Sequence, residues 1–345
     1  MEEITLEHAL MAEEKARHFL RGKVVRLGGR VMDPKAQVVA EFVRSIRVPG
    51  YFPPINELRQ QLVRAVELLD EVPVELTRKE EIQIPAKADS LLGRVYAPKL
   101  QSSELLPVLL YYHGGGWVQG DLDTHDGLCS RLALWSGAMV VALDYRLAPE
   151  HKFPTAVEDC LSSYQWLINE GQAIGADPQR VAVGGDSAGG NLAAVVSQLA
   201  GPADLPKPLF QLLLYPATDL EFKTNSHSER KNDEFIPHDR MEWYLEQYLN
   251  NPEEKKDYRA SPGINPNVSG QPPSLIIVGG FDPLRDDARL YAEKLSTAGV
   301  DVIFHEYTGQ IHAFMTLTKA IPAGLQATRE VADYMRRRFA IGVSG

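Results

Sequence analysis

A serine flanked by glycines is the strongest chemical feature of the sequence. Ser187 lies in Gly185-Asp186-Ser187-Ala188-Gly189, directly after an apolar run at 180–185 and directly before an Ala-, Leu- and Val-rich run at 188–200. A strand, a sharp glycine turn and a helix form the context that holds a serine hydroxyl out as a nucleophile at a helix N-terminus. The alternative is a serine that only caps the helix. The flanking strand and helix favour the nucleophile.

A second glycine-rich segment follows another apolar strand. His113-Gly114-Gly115-Gly116-Trp117 comes directly after the apolar run at 107–112. Consecutive glycines allow backbone N–H groups to approach a developing oxyanion. Alone, the segment could be a flexible loop; together with Ser187 it predicts an oxyanion-binding loop. We expect His113 to hold this loop by hydrogen bonds rather than to act as a base.

A serine nucleophile needs a base, and the base needs an acid that fixes its tautomer. In α/β enzymes with this turn, the chain order is serine, then acid, then histidine. Asp282 follows the apolar run at 274–280, and His312 follows the next predicted strand at 301–308. The order therefore predicts that Asp282 and His312 complete the site.

Four other residues compete for these roles. Asp286 and Asp287 fall in the first turn of a predicted helix, where acidic residues commonly balance the helix dipole. His305 lies inside a predicted strand, and Asp144 precedes the serine in the chain. We expect His305 to be packed or solvent-facing and Asp144 to serve as a structural tie near Arg146.

The elements that must position these residues change character along the chain. Residues 2–70 show helical patterns at 2–21, 34–47 and 55–70, with no predicted strand. From Glu80 onward, strand patterns alternate with helical ones, which predicts an α/β fold with a mostly parallel eight-stranded sheet flanked by helices and an antiparallel start. The predicted strands are 81–85, 91–97, 107–112, 138–145, 180–185, 209–215, 274–280 and 301–308, and the later helices are 124–136, 155–170, 188–200, 286–298 and 322–340.

One segment interrupts this alternation. Residues 219–257 are polar and then aromatic, and they separate two predicted strands. An insertion after a strand is placed to cover a site at the carboxyl end of the sheet. We predict a helical cap segment at 1–70 and a catalytic domain at 71–345, with 219–257 as a cap insertion.

Composition restricts the partners. The 345-residue chain has a formal net charge of −10, which argues against a nucleic-acid partner. Cys129 and Cys160 fit buried reduced thiols, and the acidic N-terminus lacks the pattern of a signal peptide. No apolar run reaches the roughly 18 to 20 residues of a membrane span. We therefore expect a cytoplasmic protein without membrane insertion.

The histidine and cysteine spacing matches no metal motif, and the glycine segments match no nucleotide fingerprint. We expect no metal and no cofactor.

Together these motifs resemble the bacterial hormone-sensitive-lipase-like (family IV) carboxylesterases of the α/β-hydrolase superfamily. The resemblance extends from about Asp33 onward and includes HGGGW at 113–117, GDLDTHD at 120–126, DYRLAPEHKFP at 144–154, GGDSAGGNLAA at 184–194, FDPLRDD at 281–287 and His312-Ala313-Phe314. Residues 1 to about 30 extend beyond the usual start of the family.

The resemblance implies a role for each matching residue. Ser187 would be the nucleophile, with Asp282 and His312 as its partners, and the N–H groups of Gly115, Gly116 and Ala188 would form the oxyanion hole. His113, Gly114 and Asp186 would support that site. The resemblance further implies a helical cap, activity on short- to medium-chain esters and a possible homodimer.

Two alternatives stay open at this point. An amidase, lactonase or deacetylase uses the same three side chains, because the fold does not determine the leaving group. A non-catalytic small-molecule binder is the other, since gibberellin receptors share this fold but lack the catalytic histidine. The presence of His312 argues against the binder.

Overall fold

The N-terminal part of the chain is mostly helical. The computed structural model describes residues 4–48, 50–86, 90–98 and 105–340, so the first residues of the predicted helix at 2–21 lie outside it. Helices α1 (Leu6–Leu10), α2 (Glu13–Phe19), α3 (Pro34–Ile46) and α4 (Ile55–Leu69) come first. The predicted helix at 2–21 is thus two short helices. Asp33 caps α3 by accepting from the N–H groups of Lys35 and Ala36.

The prediction that this part contains no strand was wrong. Strands β1 (Arg26–Leu27) and β2 (Arg30–Val31) form a small antiparallel hairpin. Its turn is Gly28-Gly29, and both glycines have positive φ (55° and 80°), as a two-residue hairpin turn requires. This hairpin lies between the helical patterns predicted at 2–21 and 34–47.

The central sheet confirms the predicted mostly parallel α/β architecture. Within the described residues it has eight strands, in the spatial order β10-β9-β8-β7-β5-β6-β4-β3. β3 pairs antiparallel with β4, which pairs antiparallel with β6, and the remaining neighbours are parallel. The strands are β3 (Arg78–Pro85), β4 (Ser90–Ala97), β5 (Leu106–Tyr112), β6 (Met139–Asp144), β7 (Ala176–Asp186), β8 (Gln211–Leu214), β9 (Ser274–Phe281) and β10 (Val302–Ile311).

Helices cover both faces of this sheet. They are α5 (Asp126–Ser136), α6 (Thr155–Glu170), α7 (Ala188–Ala200), α8 (Asn225–Glu229), α9 (His238–Tyr248), α10 (Arg285–Thr297) and α11 (Ala323–Arg338). Alternate side chains of β5 point to opposite faces, so Leu110 packs in one core and Leu109 in the other. The thiols of Cys160 and Cys129 are free and buried, one in each core.

The N-terminal part of the chain contacts both the insertion and the α/β core. Phe52 stacks on Trp243 of α9, with ring centroids 5.0 Å apart and planes 6° apart. At the end of α4, the buried Asp70 carboxylate binds Arg131 at 2.8 Å and Thr318 Oγ1 at 2.5 Å. Along the described ranges, no helix is both long and apolar enough to cross a membrane.

Candidate active site

Ser187 occupies a strained turn between β7 and α7. Its φ of 54° and ψ of −116° lie outside the favoured regions for residues with a side chain. Its N–H donates to the carbonyl of Leu214 at 2.8 Å, which holds the turn against β8. This conformation places the hydroxyl at the carboxyl edge of the sheet, where part of the residue remains solvent-accessible.

His312 and Asp282 meet Ser187 in one hydrogen-bonded chain. His312 Nε2 lies 2.9 Å from Ser187 Oγ, and His312 Nδ1 lies 2.7 Å from Asp282 Oδ2. A carboxylate only accepts, so Nδ1 carries the hydrogen and Nε2 is free to accept from the serine. Asp282 is fully buried, and its other oxygen accepts from the Leu284 N–H at 2.8 Å. Both carboxylate oxygens are therefore held in place.

The surroundings of His312 affect its protonation. Burial disfavours the charged imidazole, but the Asp282 carboxylate outweighs this effect, so the pKa of His312 lies above its ordinary value of 6.5. The edge of the Tyr215 ring also packs against the imidazole, with centroids 5.0 Å apart. A raised pKa suits a group that must take a proton from a hydroxyl.

The glycine loop lies close to the serine turn. The Gly114 N–H donates to Asp186 Oδ1 at 2.9 Å. A Cβ on Gly114 would lie 2.3 Å from Asp186 Oδ2, so only glycine allows this approach. Gly115 has φ of +120°, and a Cβ there would lie 2.0 Å from the Gln119 carbonyl oxygen. Ala188 opens α7, so its N–H has no acceptor within the helix.

His113 holds the loop through local contacts. Its Nδ1 donates to the Gly114 carbonyl at 2.8 Å, and its ring stacks on Tyr145 with centroids 4.3 Å apart. Burial, and then the neighbouring His125, lower its pKa to about 4, so it is neutral at neutral pH. The Asp144 carboxylate lies 4.0 Å from His113 Nε2, while Arg146 pairs with Asp159 at 2.6 Å.

Two aromatic residues of the insertion lie over the glycine loop. A Cβ on Gly116 would lie 2.6 Å from the Tyr244 ring, and the Tyr244 hydroxyl accepts from Gln119 Nε2 at 2.8 Å. Trp117 stacks on Tyr248, with centroids 4.5 Å apart. The aromatic character of 219–257 was visible in the sequence, but its contact with Gly116 was not.

Sequence reasoning assigned no role to His125, which lies within the 120–126 motif. Its Nε2 is 3.1 Å from Asp186 Oδ1, and both side chains are buried. Nothing in the spacing of the two residues indicated this contact, because 61 positions separate them.

The competing residues lie elsewhere. Asp286 accepts from the Ser226 N–H at 3.0 Å, and Asp287 lies 2.6 Å from His227 Nε2. Both bonds tie α8 of the insertion to α10. His305, partly exposed on β10, contacts Glu330 at 2.7 Å. The structure therefore brings Asp282, rather than these residues, to His312.

Comparison with known proteins identifies the family of the chain. Residues 109–316 match the model of a family described by the α/β-hydrolase fold. The chain belongs to that family. Carboxylic ester hydrolase LipN of Mycobacterium tuberculosis is 37% identical over 91% of this chain and 85% of its own. An ethyl acetate hydrolase of Pseudomonas putida is 39% identical over 66% of this chain and 72% of its own.

Solved structures extend the likeness to three dimensions. The ester hydrolase EH1AB1 from the Lake Arreo metagenome, complexed with a phosphonate derivative, superposes with a TM-score of 0.85 at 35% identity, covering 90% of this chain and 99% of that one. The protein is thus a carboxylic ester hydrolase of the hormone-sensitive-lipase-like group, as its motifs predicted.

Proposed function

We propose that this α/β-hydrolase cleaves short- to medium-chain esters through a covalent acyl-enzyme on Ser187. The observation that carries the proposal is the chain of two hydrogen bonds, 2.9 Å and 2.7 Å long, from Ser187 through His312 to Asp282. Serine is a weak nucleophile unless a neighbouring base takes its proton, and this geometry supplies such a base.

The reaction proceeds in two halves. Ser187 Oγ attacks the ester carbonyl while its proton moves to His312 Nε2, and the imidazolium then protonates the departing alcohol. In the second half His312 deprotonates a water molecule, which attacks the acyl-enzyme. The bond between the acyl carbon and Ser187 Oγ then breaks, the imidazolium returns its proton to Oγ, and the acid is released. Asp282 keeps the Nδ1–H tautomer and stabilises the imidazolium in both halves.

Backbone N–H groups of Gly115, Gly116 and Ala188 stabilise the oxyanion of each tetrahedral intermediate. The close approach of Gly114 to Asp186 and the left-handed φ of Gly115 support this assignment, because they fix the loop beside the serine turn. Each donor of this kind contributes about 3 kcal/mol to transition-state stabilisation.

Residues 1–70 and 219–257 act as the cap that limits substrate size. The Phe52–Trp243 stack and the position of Tyr244 over Gly116 support this role. The Pseudomonas putida relative is named for a two-carbon acyl ester, which supports a preference for small acyl groups.

Three measurements test the proposal. A phosphonate ester that carries a good leaving group is expected to modify Ser187 stoichiometrically, as seen by peptide mass spectrometry. Ser187→Ala is expected to abolish hydrolysis of p-nitrophenyl butyrate, and an unchanged rate would refute the assignment. A series of p-nitrophenyl esters from acetate to laurate tests the chain-length limit, which is expected to lie below the longest esters.

A further inference from the structure

His125 makes a buried contact that the proposed reaction does not use. The imidazole lies in the segment before α5, and its Nε2 is 3.1 Å from Asp186 Oδ1 and 3.3 Å from Oδ2. The two side chains are 6% and 4% exposed. On the opposite side of the ring, Nδ1 lies 2.9 Å from Thr124 Oγ1. The ring is therefore fixed at both nitrogens.

Asp186 joins the serine turn to the glycine loop. Its backbone directly precedes Ser187, and its carboxylate accepts from the Gly114 N–H and from the Tyr111 hydroxyl, both at 2.9 Å. A shift of this carboxylate would move Gly114, and with it the two glycines that follow. The distance between the serine and the loop therefore depends on where the Asp186 oxygens are held.

The hydrogen-bond roles around Asp186 follow from distance and charge. The Gly114 nitrogen is 2.9 Å from Asp186 Oδ1 but 3.3 Å from His125 Nε2. The carboxylate is closer and charged, so it takes the amide hydrogen. His125 Nε2 is then free to donate its own hydrogen to the same carboxylate.

We propose that His125 is a positioning residue, which aligns the glycine loop with Ser187 by holding the Asp186 carboxylate. This inference rests on the proposed function. A buried carboxylate with a single amide and a single hydroxyl donor lacks a compensating charge, and His125 can supply one.

Electrostatics support the same arrangement. Burial disfavours the charged form of His125, but Asp186 and then Asp121 outweigh that effect, so the pKa of His125 lies above its ordinary value. For Asp186, burial alone would raise the pKa, but His125 and the Tyr111 hydroxyl outweigh it and the pKa is lowered. Two other ionisable rings face His125, those of His113 and Tyr111, with centroids 5.6 Å and 6.3 Å away.

Two amide substitutions separate the two nitrogens of the ring. In His125→Gln, the side-chain amide nitrogen reaches the position of Nε2 and can still donate to Asp186. In His125→Asn, the shorter amide reaches only the position of Nδ1, towards Thr124. Loss of packing alone is also greater for the shorter asparagine, but it lowers the fraction of active protein rather than kcat per titrated active site. Positioning through Asp186 predicts that kcat per active site falls in His125→Asn and is kept in His125→Gln.

The readouts are kcat, KM and the inhibition constant of a trifluoromethyl ketone, whose adduct with Ser187 bears an oxyanion. The concentration of active sites is set by phosphonate titration, so that partial misfolding does not count as lost activity. We expect His125→Asn to lower kcat about 10- to 100-fold and to leave KM within about threefold of the wild-type value. The inhibition constant of the ketone is expected to rise by a factor similar to the loss of kcat. For His125→Gln, both kcat and the inhibition constant are expected to stay within about threefold of the wild type.

An asparagine variant with wild-type kcat, or one that loses kcat while the ketone binds as before, would overturn the inference. If that variant does not fold, His125→Phe, which keeps a ring but no donor, takes its place against His125→Gln. Ser187→Ala serves as the reference. If it keeps wild-type activity, the proposed function itself fails, whereas a dead Ser187→Ala with an unaffected His125→Asn removes only the role of His125.

Discussion

Replacement of Asp282 by asparagine is a sharp test, because the structure determines how the new amide must point. The Leu284 N–H donates to Asp282 Oδ1 at 2.8 Å, so that position needs an acceptor. In Asp282→Asn the amide oxygen will occupy that position and accept the Leu284 hydrogen bond, and the NH₂ group will face His312 Nδ1. Two donors cannot face one another, so Nδ1 must give up its hydrogen.

The loss of the Nδ1 hydrogen also changes the protonation of the other ring nitrogen, Nε2. A neutral His312 that accepts at Nδ1 carries its hydrogen at Nε2, which lies 2.9 Å from Ser187 Oγ. It can then no longer accept the serine proton. Loss of the correct tautomer in a serine protease lowers kcat about 10⁴-fold, which corresponds to about 5 kcal/mol at about 1.36 kcal/mol per factor of ten. We expect a loss of the same size here.

The assay is steady-state hydrolysis of p-nitrophenyl butyrate at pH 8, with the thermal midpoint measured alongside. The substitution conserves shape in a fully buried site. Asp286→Asn is the matched control, because Asp286 lies four residues on and contacts Ser226 and Arg285 instead of His312. A loss below tenfold in Asp282→Asn, or an equal loss in the control, would refute the reasoning.

Three further outcomes follow from the geometry. His312 must be neutral to act as a base, and its pKa lies above 6.5. We therefore expect kcat/KM to rise with pH and to be at least about tenfold below its plateau at pH 5.5. A flat profile from pH 5 to 9 would contradict the role of His312 as the base. Gly116→Ala should lower kcat about tenfold or more, because its Cβ meets the Tyr244 ring at 2.6 Å and its φ is +61°, and adding Tyr244→Ala should recover part of the loss. Asp70→Ala should lower the free energy of unfolding in urea by about 3–5 kcal/mol, because it removes the carboxylate that pairs with the buried Arg131. As a control, Glu67→Ala at an exposed position of α4 should change this free energy by less than about 0.5 kcal/mol.

The chemically active residues could be predicted because local patterns mark them. Ser187 has a strand before it and a helix after it, Asp282 follows a buried strand, and His312 follows a strand that is only partly buried. The order of the three residues along the chain then indicates the role of each. The strands could be predicted for the same reason, because short apolar runs indicate buried segments of a sheet.

Contacts between distant segments could not be predicted. The sequence shows neither that His125 reaches Asp186 nor that Tyr244 covers Gly116, because each pair joins separate elements. The hairpin at Gly28-Gly29 was missed because its strands are two residues long, too short for any periodicity. Gly115→Pro would delete an N–H of the glycine loop, but proline cannot adopt the φ of +120° at this position, so the substitution would disrupt the loop as well.

The backbone of Ser187 has a consequence for folding. A residue with a side chain in a conformation such as φ 54°, ψ −116° raises the free energy of the native state by about 1–3 kcal/mol. Glycine tolerates this region far better, so Ser187→Gly should melt at a higher temperature while losing all activity. The native protein thus gives up thermal stability at this position in order to keep its hydroxyl poised for attack.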